Sequence, residues 1–238
     1  VSFPLRAITL DLDDTLWPFP PVGARAEAAM HAWLLEHCPR TAARFPPEAM
    51  RALRMELNAE HPERMHDLSF MRKLTLAHAL RLAGDDPAHA EPAFAVFFAA
   101  RNQVECYPDT HAALARLSAR LPLFALSNGN ADLERIGLAV HFRGGLSACE
   151  HGRPKPSPCI FHAACMRLEA EPHQVLHVGD SVELDVLGAQ RAGLRSCWLN
   201  REGEPWPDGH PRPDLEFPTL AALADWLDAH AFRNELAA

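Results

Sequence analysis

Short apolar runs at Arg6 to Leu10, Leu121 to Leu126, Val175 to Val178 and Ser196 to Leu199 alternate with helical patterns, and this alternation constrains the fold more than any other feature. Runs this short, bounded by polar turns, read as buried strands. Strands joined through helices imply a parallel, doubly wound α/β sheet, because a parallel connection needs a crossover. Asp109 is expected to cap a helix carrying Leu114 and Leu117. A helix is expected from about Asn130 to Leu138, and a short strand near Phe142 to Ala148. Ser157 as cap and Pro158 at the first position suit a helix with Phe161, Ala164, Cys165 and Leu168 on one face. A helix from about Glu183 to Ala192 stops at Gly193, the stretch Arg201 to Pro213 reads as loop, and Leu220, Leu223 and Leu227 mark a last helix.

Between the first strand and the alternation the texture differs. Pro18, Pro20 and Pro21 interrupt regular structure, and from Ala24 to about Glu105 the pattern is helical with almost no strand signal. Met30, Trp33, Leu34 and His37 share one expected face; Met50, Leu53 and Leu57 a second; Phe70, Leu74 and Ala77 a third; Phe94, Phe97 and Phe98 a fourth. The expectation is a core from residues 1–17 and 106–238 with a helical insert at 18–105.

At 238 residues, 48% hydrophobic, the chain can bury a full core in one or two domains. The net charge of −8, with no cluster of Lys and Arg among aromatics, argues against nucleic acid as a partner. No apolar stretch reaches membrane-spanning length, and the amino terminus has no signal-peptide pattern, so the expected location is the cytoplasm and no membrane partner is expected. The six cysteines form no C-x-x-C pair and the 14 histidines form no zinc pattern, which fits reduced thiols and ordinary histidines. Nothing in the sequence sets the oligomeric state.

Polar signals fall at the expected carboxyl ends of the strands, where an open α/β sheet binds its ligands. They are Asp11 and Asp13, Ser127 and Asn128, Lys155, and Asp180 with Asp185. Singly, each has a plain alternative: a helix cap, a turn, a solvated lysine, a carboxylate in a first helical turn. Together they share one chemical use. Acidic groups this close resist joint ionisation unless a cation or a proton offsets them. Asp11 and Asp180 offer hard oxygen ligands for Mg2+, and a carboxylate beside that ion can attack phosphorus. Asp13 could protonate the leaving oxygen and then activate water. The Ser127 hydroxyl and the Asn128 backbone amide suit phosphoryl oxygens, and Lys155 adds positive charge.

Asp11-Leu12-Asp13-Asp14-Thr15, Ser127-Asn128, Lys155 and Gly179-Asp180 through Asp185 resemble, in order and spacing, the four motifs of the haloacid dehalogenase-like (HAD) hydrolase superfamily. That resemblance implies a Rossmann-like core and a type 1 helical cap, with Trp17–Pro21 and Glu105–Pro108 as hinge strands. It makes Asp11 the nucleophile and a metal ligand. Asp13 would be the acid/base that also gives the metal its backbone carbonyl. Ser127, Asn128 and Lys155 would bind phosphate with Thr15 positioned among them, and Asp180 would ligate Mg2+ with Asp185 behind it. Asp14 is expected to be structural. Ser127-Asn128-Gly129-Asn130, His151 to Pro156 and Leu176 to Ser181 further resemble the bacterial branch that dephosphorylates 5-amino-6-(5-phospho-ribitylamino)uracil and FMN in riboflavin metabolism.

The implied activity is a Mg2+-dependent phosphomonoesterase acting on a small phosphorylated metabolite. The alternatives are a 2-haloacid dehalogenase, which in this family generally lacks an acid at the position of Asp13, a phosphomutase, and a non-catalytic phosphate-binding regulator. Arg64, Arg72, His66 and Trp33 are the candidates for substrate selection in the insert.

Overall fold

The computed structural model describes residues 4–230. Two compact units emerge. One combines the chain up to Pro18 with Glu105–Gly129 and the chain from Gly137 on; the other combines Phe19–Val104 with Asn130–Ile136.

The helical unit contains α1 (Phe19–His37), α2 (Pro39–Arg44), α3 (Pro47–Glu60), α4 (Leu68–Ala83) and α5 (Ala90–Arg101). Pro20 and Pro21 do not break structure as expected. They lie in the first turn of α1, where the N–H groups have no intrahelical acceptor and proline costs nothing. The expected hinge strand at Trp17–Pro21 is therefore helical from Phe19 onward, and Glu105–Pro108 is irregular. Met30 and Leu34 of α1, Met50, Leu53 and Leu57 of α3, and Phe94 and Phe97 of α5 meet in one core. His37 stays exposed.

On α4 the buried face is Met71, Thr75, Leu76, Ala79 and Leu80, displaced from the expected Phe70, Leu74 and Ala77. Apolar residues lie nearly all round this helix, so spacing alone could not choose the face. Asp67 caps α4 by accepting from Phe70 N–H, and Gly84 ends it in the left-handed conformation at φ 79°.

The segment 130–136 belongs with these helices through three contacts. Asn130 Nδ2 donates to Ser69 Oγ (3.1 Å), Asp132 N–H donates to Asn102 Oδ1 (2.8 Å), and the Arg135 guanidinium lies 5.3 Å from the Phe98 ring centre. Of the expected helix here only α7 (Leu133–Ile136) forms, started by the Asp132 carboxylate accepting from Glu134 and Arg135 N–H.

The other unit is a six-stranded sheet, wholly parallel, in the order β3 (Gly144–Ser147), β2 (Leu123–Ser127), β1 (Ala7–Leu10), β4 (Val175–Gly179), β5 (Arg195–Leu199), β6 (Leu215–Phe217). Around it run α6 (Thr110–Arg120), α8 (Ala148–His151), α9 (Pro158–Leu168), α10 (Gly188–Arg191) and α11 (Leu220–Ala229). Strand order reverses between β1 and β4, so the switch point lies between their carboxyl ends.

β1 is central and buried throughout, as its unbroken apolar run requires. Phe124, Leu126 and Val175 pack with Ile160, Phe161 and Ala164 of α9. Two expected caps act otherwise. Asp109 makes no cap bond to α6; its carboxylate accepts from Leu220 N–H (2.7 Å) and Ala221 N–H (3.2 Å) at the start of α11. Ser157 precedes α9 without a side-chain cap bond. Among the described residues no helix is long and apolar enough to cross a membrane.

Candidate active site

The last residues of β1 and β4 run on into acidic turns on either side of the switch point. Asp11 N–H donates to the Val178 carbonyl (2.9 Å), which extends the ladder by one residue and holds Asp11 level with the end of β4. Lys155, only 2% exposed, reaches in from the turn before α9. Its ammonium donates to Asp11 Oδ1 at 2.7 Å and to Asp185 Oδ1 at 2.6 Å. Asn128 holds the lysine's backbone from both sides: Lys155 N–H donates to Asn128 Oδ1 (2.7 Å), and Asn128 Nδ2 donates to the Lys155 carbonyl (2.9 Å). Ser127 Oγ accepts from Gly129 N–H at 2.9 Å, shaping the turn after β2.

Asp180 is steadied at both ends. The buried Thr15 hydroxyl donates to its Oδ1 (3.0 Å), and Trp198 Nε1 donates to its backbone carbonyl (2.8 Å). Thr15, expected as a positioning residue beside the phosphate, orients this carboxylate. The expected helix after Asp180 opens as a wide π turn over Val182–Leu187, in which the Ser181 carbonyl accepts from both Asp185 and Val186 N–H. π turns are frequent at functional sites. This one places Asp185 directly over the end of β4. A Cβ on Gly179 would stand 2.2 Å from Asp185 Cγ, so only glycine fits there. Asp14, with φ 59°, takes the left-handed bend of its turn, in keeping with a structural role.

The electrostatics are uneven. Oxygens of Asp11, Asp180 and Asp185 lie within 4.8 Å of one another, with one lysine among them. Burial would raise the Asp185 pKa, but Lys155 and the His177 hydrogen bond hold it well below the usual carboxylate range. Burial would lower the Lys155 pKa, and the two carboxylates beside it keep it raised. Asp11 is left under-compensated: burial, against the pull of Lys155 and with the push of Asp185, lifts its pKa to about 8. Burial and Asp185 lift Asp180 to about 6. Three carboxylates and one ammonium leave the cluster two negative charges in excess when all are ionised. A divalent cation with oxygen preference fits that donor set, and Mg2+ is such an ion.

The model of a family described as haloacid dehalogenase-like hydrolases matches residues 5–193. The chain belongs to the haloacid dehalogenase-like hydrolases. Across 227 residues this hydrolase is 34% identical to the 5-amino-6-(5-phospho-D-ribitylamino)uracil phosphatase YigB of Escherichia coli K12, covering 92% of the chain and 94% of that relative. It is 37% identical over 150 residues to a phosphoserine phosphatase of Thermus thermophilus, 60% of each chain. A crystal structure described as a 2-haloacid dehalogenase from Pseudomonas syringae pv. Tomato DC3000 superposes with a TM-score of 0.89 at 37% identity, covering 95% of this chain and all of the other.

Several further residues shape the hydrolase site, among them Trp17, expected from the sequence mainly to pack. His177 on β4 is fully buried: its Nδ1 lies 2.8 Å from Thr9 Oγ1 and its Nε2 3.0 Å from Asp185 Oδ1. Because an ionised carboxylate only accepts, Nε2 carries the proton and Nδ1 accepts from Thr9. Burial lowers the His177 pKa against the pull of Asp185, so the ring is neutral. Trp17 Nε1 donates to Asp13 Oδ1 at 2.8 Å. Arg201 donates to the Thr15 carbonyl (3.0 Å) and to Asp109 Oδ1 (3.0 Å), and lies over the Tyr107 ring.

One signal was available in the sequence: an indole or imidazole inside an apolar segment needs a partner, and the nearest acids are those of the motifs. In the helical unit, by contrast, Arg72 is bound to Glu27 at 2.8 Å and stacked on Phe97, and Arg64 stacks on Phe70. Their observed partners are structural.

Proposed function

We propose that this hydrolase is a Mg2+-dependent phosphomonoesterase that dephosphorylates a small metabolite through an aspartyl phosphate on Asp11, with FMN and 5-amino-6-(5-phospho-D-ribitylamino)uracil as the leading substrates. The observation that carries the reading is Asp13 standing two residues beyond Asp11, at a carboxylate cluster whose donor set suits a divalent cation.

Asp11 would attack phosphorus as the leaving oxygen departs, and Asp13 would hand that oxygen a proton. In the second half Asp13 would take a proton from water, which attacks the same phosphorus and frees Asp11. Lys155 holds charge against the phosphoryl group, and Ser127 with the Asn128 amide supplies neutral donors. Mg2+ would be held by Asp11, the Asp13 carbonyl and Asp180, with Asp185 behind them, and would supply positive charge to the phosphoryl oxygens.

The structural likeness to a 2-haloacid dehalogenase gives a second reading a specific footing. A halide leaves as a stable anion and needs no proton, so dehalogenation would leave Asp13 without work and the excess negative charge without purpose. Phosphate esters of alcohols need both. The relatives described as phosphatases support the same choice. Among the described residues the cysteines form no disulfide, which suits a reducing cytoplasm.

The deciding experiment measures phosphate release from a panel of phosphorylated metabolites that includes both leading substrates, alongside chloride release from 2-chloropropionate. The expected outcome is Mg2+-dependent phosphate release that EDTA abolishes and Asp11→Asn removes by at least about a thousandfold. Chloride release without phosphate release would reverse the assignment.

A further inference from the structure

Trp17 is fully buried, and for packing alone a phenyl ring would serve. The indole differs by one donor, and that donor is spent on Asp13 Oδ1 at 2.8 Å. The loop between them is closed by its own backbone: Leu16 N–H donates to the Leu12 carbonyl (2.8 Å), and Asp14 N–H to the Trp17 carbonyl (2.7 Å). Beyond the loop, Arg201 grips the Thr15 carbonyl, and Tyr107 N–H and the Thr110 hydroxyl both donate to the Leu16 carbonyl. A half-buried carboxylate is thus tied to an immobile ring four residues away, through a turn that is itself fixed at several points.

A free aspartate turns about two side-chain bonds and presents its oxygens in many directions. Proton transfer requires the donor atom aligned within hydrogen-bond reach of the acceptor. An N–H donor on an anchored ring sets the plane of the carboxylate, and with it the direction in which a proton is delivered. We propose that Trp17 is a positioning residue for Asp13, its indole N–H holding the carboxylate in the orientation that protonates the leaving oxygen. This rests on the phosphomonoesterase reading of the site.

Leaving groups differ in how much they need that proton. Phenolate, whose conjugate acid has a pKa of about 10 like that of tyrosine, needs it far more than p-nitrophenolate does. kcat/KM reports only the steps through formation of the aspartyl phosphate, so it isolates Asp13 acting as acid. The test therefore compares kcat/KM for p-nitrophenyl, phenyl and p-methoxyphenyl phosphates in the wild type, Trp17→Phe, Asp13→Asn and the double variant.

Trp17→Phe is expected to lose about tenfold or more on phenyl phosphate but less than about threefold on p-nitrophenyl phosphate. In the Asp13→Asn background it should cost nothing further, because a residue acting through Asp13 has nothing left to position. Benzothienylalanine placed at position 17 keeps the ring's size and replaces its N–H by sulfur, so it separates the hydrogen bond from packing and should behave like Trp17→Phe.

An equal loss on all three esters, an additive loss in the double variant, or wild-type kinetics with benzothienylalanine would each reduce Trp17 to a packing residue while leaving the phosphatase assignment intact. A wild-type protein that hydrolyses neither the aryl esters nor the metabolites would remove the assignment and this role together.

Discussion

Lys155 shows how one side chain can hold a site together and be hidden in it. It stands between Asp11 and Asp185 with almost no exposure, and removing a partner from a buried ionic group costs more than the pair itself contributes. Lys155→Met is expected to lower unfolding stability by about 3–5 kcal/mol near neutral pH, measured by urea denaturation. The loss should shrink toward acid pH, where Asp185, no longer held below the usual carboxylate range by Lys155, takes up a proton. At this scale the acids and the lysine were legible in the sequence because their residue types are costly to bury without a task. His177 and Trp17 were not, since a histidine or tryptophan in an apolar segment is usually core, and only the position of a partner carboxylate says otherwise.

The end of β4 and the π turn that follows work as a single element, because Asp185 occupies the space above Gly179 that any side chain would fill. Gly179→Ala is expected to displace Asp185 from Lys155, His177 and the Ser181 N–H that Asp185 Oδ2 accepts at 3.0 Å. Activity should fall by more than about a hundredfold, with a clear drop in Tm, both read on purified protein.

Strands buried on both faces, such as β1 and β4, were plain from sequence because a continuous apolar run has few other uses. β6 was not, since Leu215-Glu216-Phe217 is three residues long, partly exposed and set beyond a proline-rich loop. The π turn was read as ordinary helix because one extra residue in a turn leaves no mark on apolar spacing. The displaced face of α4 has the same origin: apolar residues nearly all round a helix give periodicity nothing to select.

For the molecule as a whole, the raised pKa values tie stability to pH and, under the proposed function, to Mg2+. Without metal, Asp11 and Asp180 hold protons in the folded state that the unfolded chain, with carboxyls near 3.8, has released. Their contribution therefore grows as pH falls through about 8 and then about 6. His177 works the other way, because its neutral buried ring loses stability as pH drops below the 6.5 of an exposed histidine. Comparing Tm with and without Mg2+ at one pH cancels that second effect. Mg2+ bound as proposed would displace the protons on Asp11 and Asp180, so the gain in Tm is expected to be larger at about pH 8 than at about pH 5.5. A gain that did not change with pH would place the ion elsewhere.

The chain passes from one unit to the other after Pro18, Val104, Gly129 and Ile136. An insert joined to its host at only two junctions could be traded between relatives as a cassette. Here a recombinant cut at 18 and 105 would pair foreign helices with the native 130–136 strip, which begins two residues after the Asn128 that clasps Lys155. Functional exchange of this insert is therefore expected to need both pieces to travel together, because the helices bind that strip through Ser69, Asn102 and Phe98.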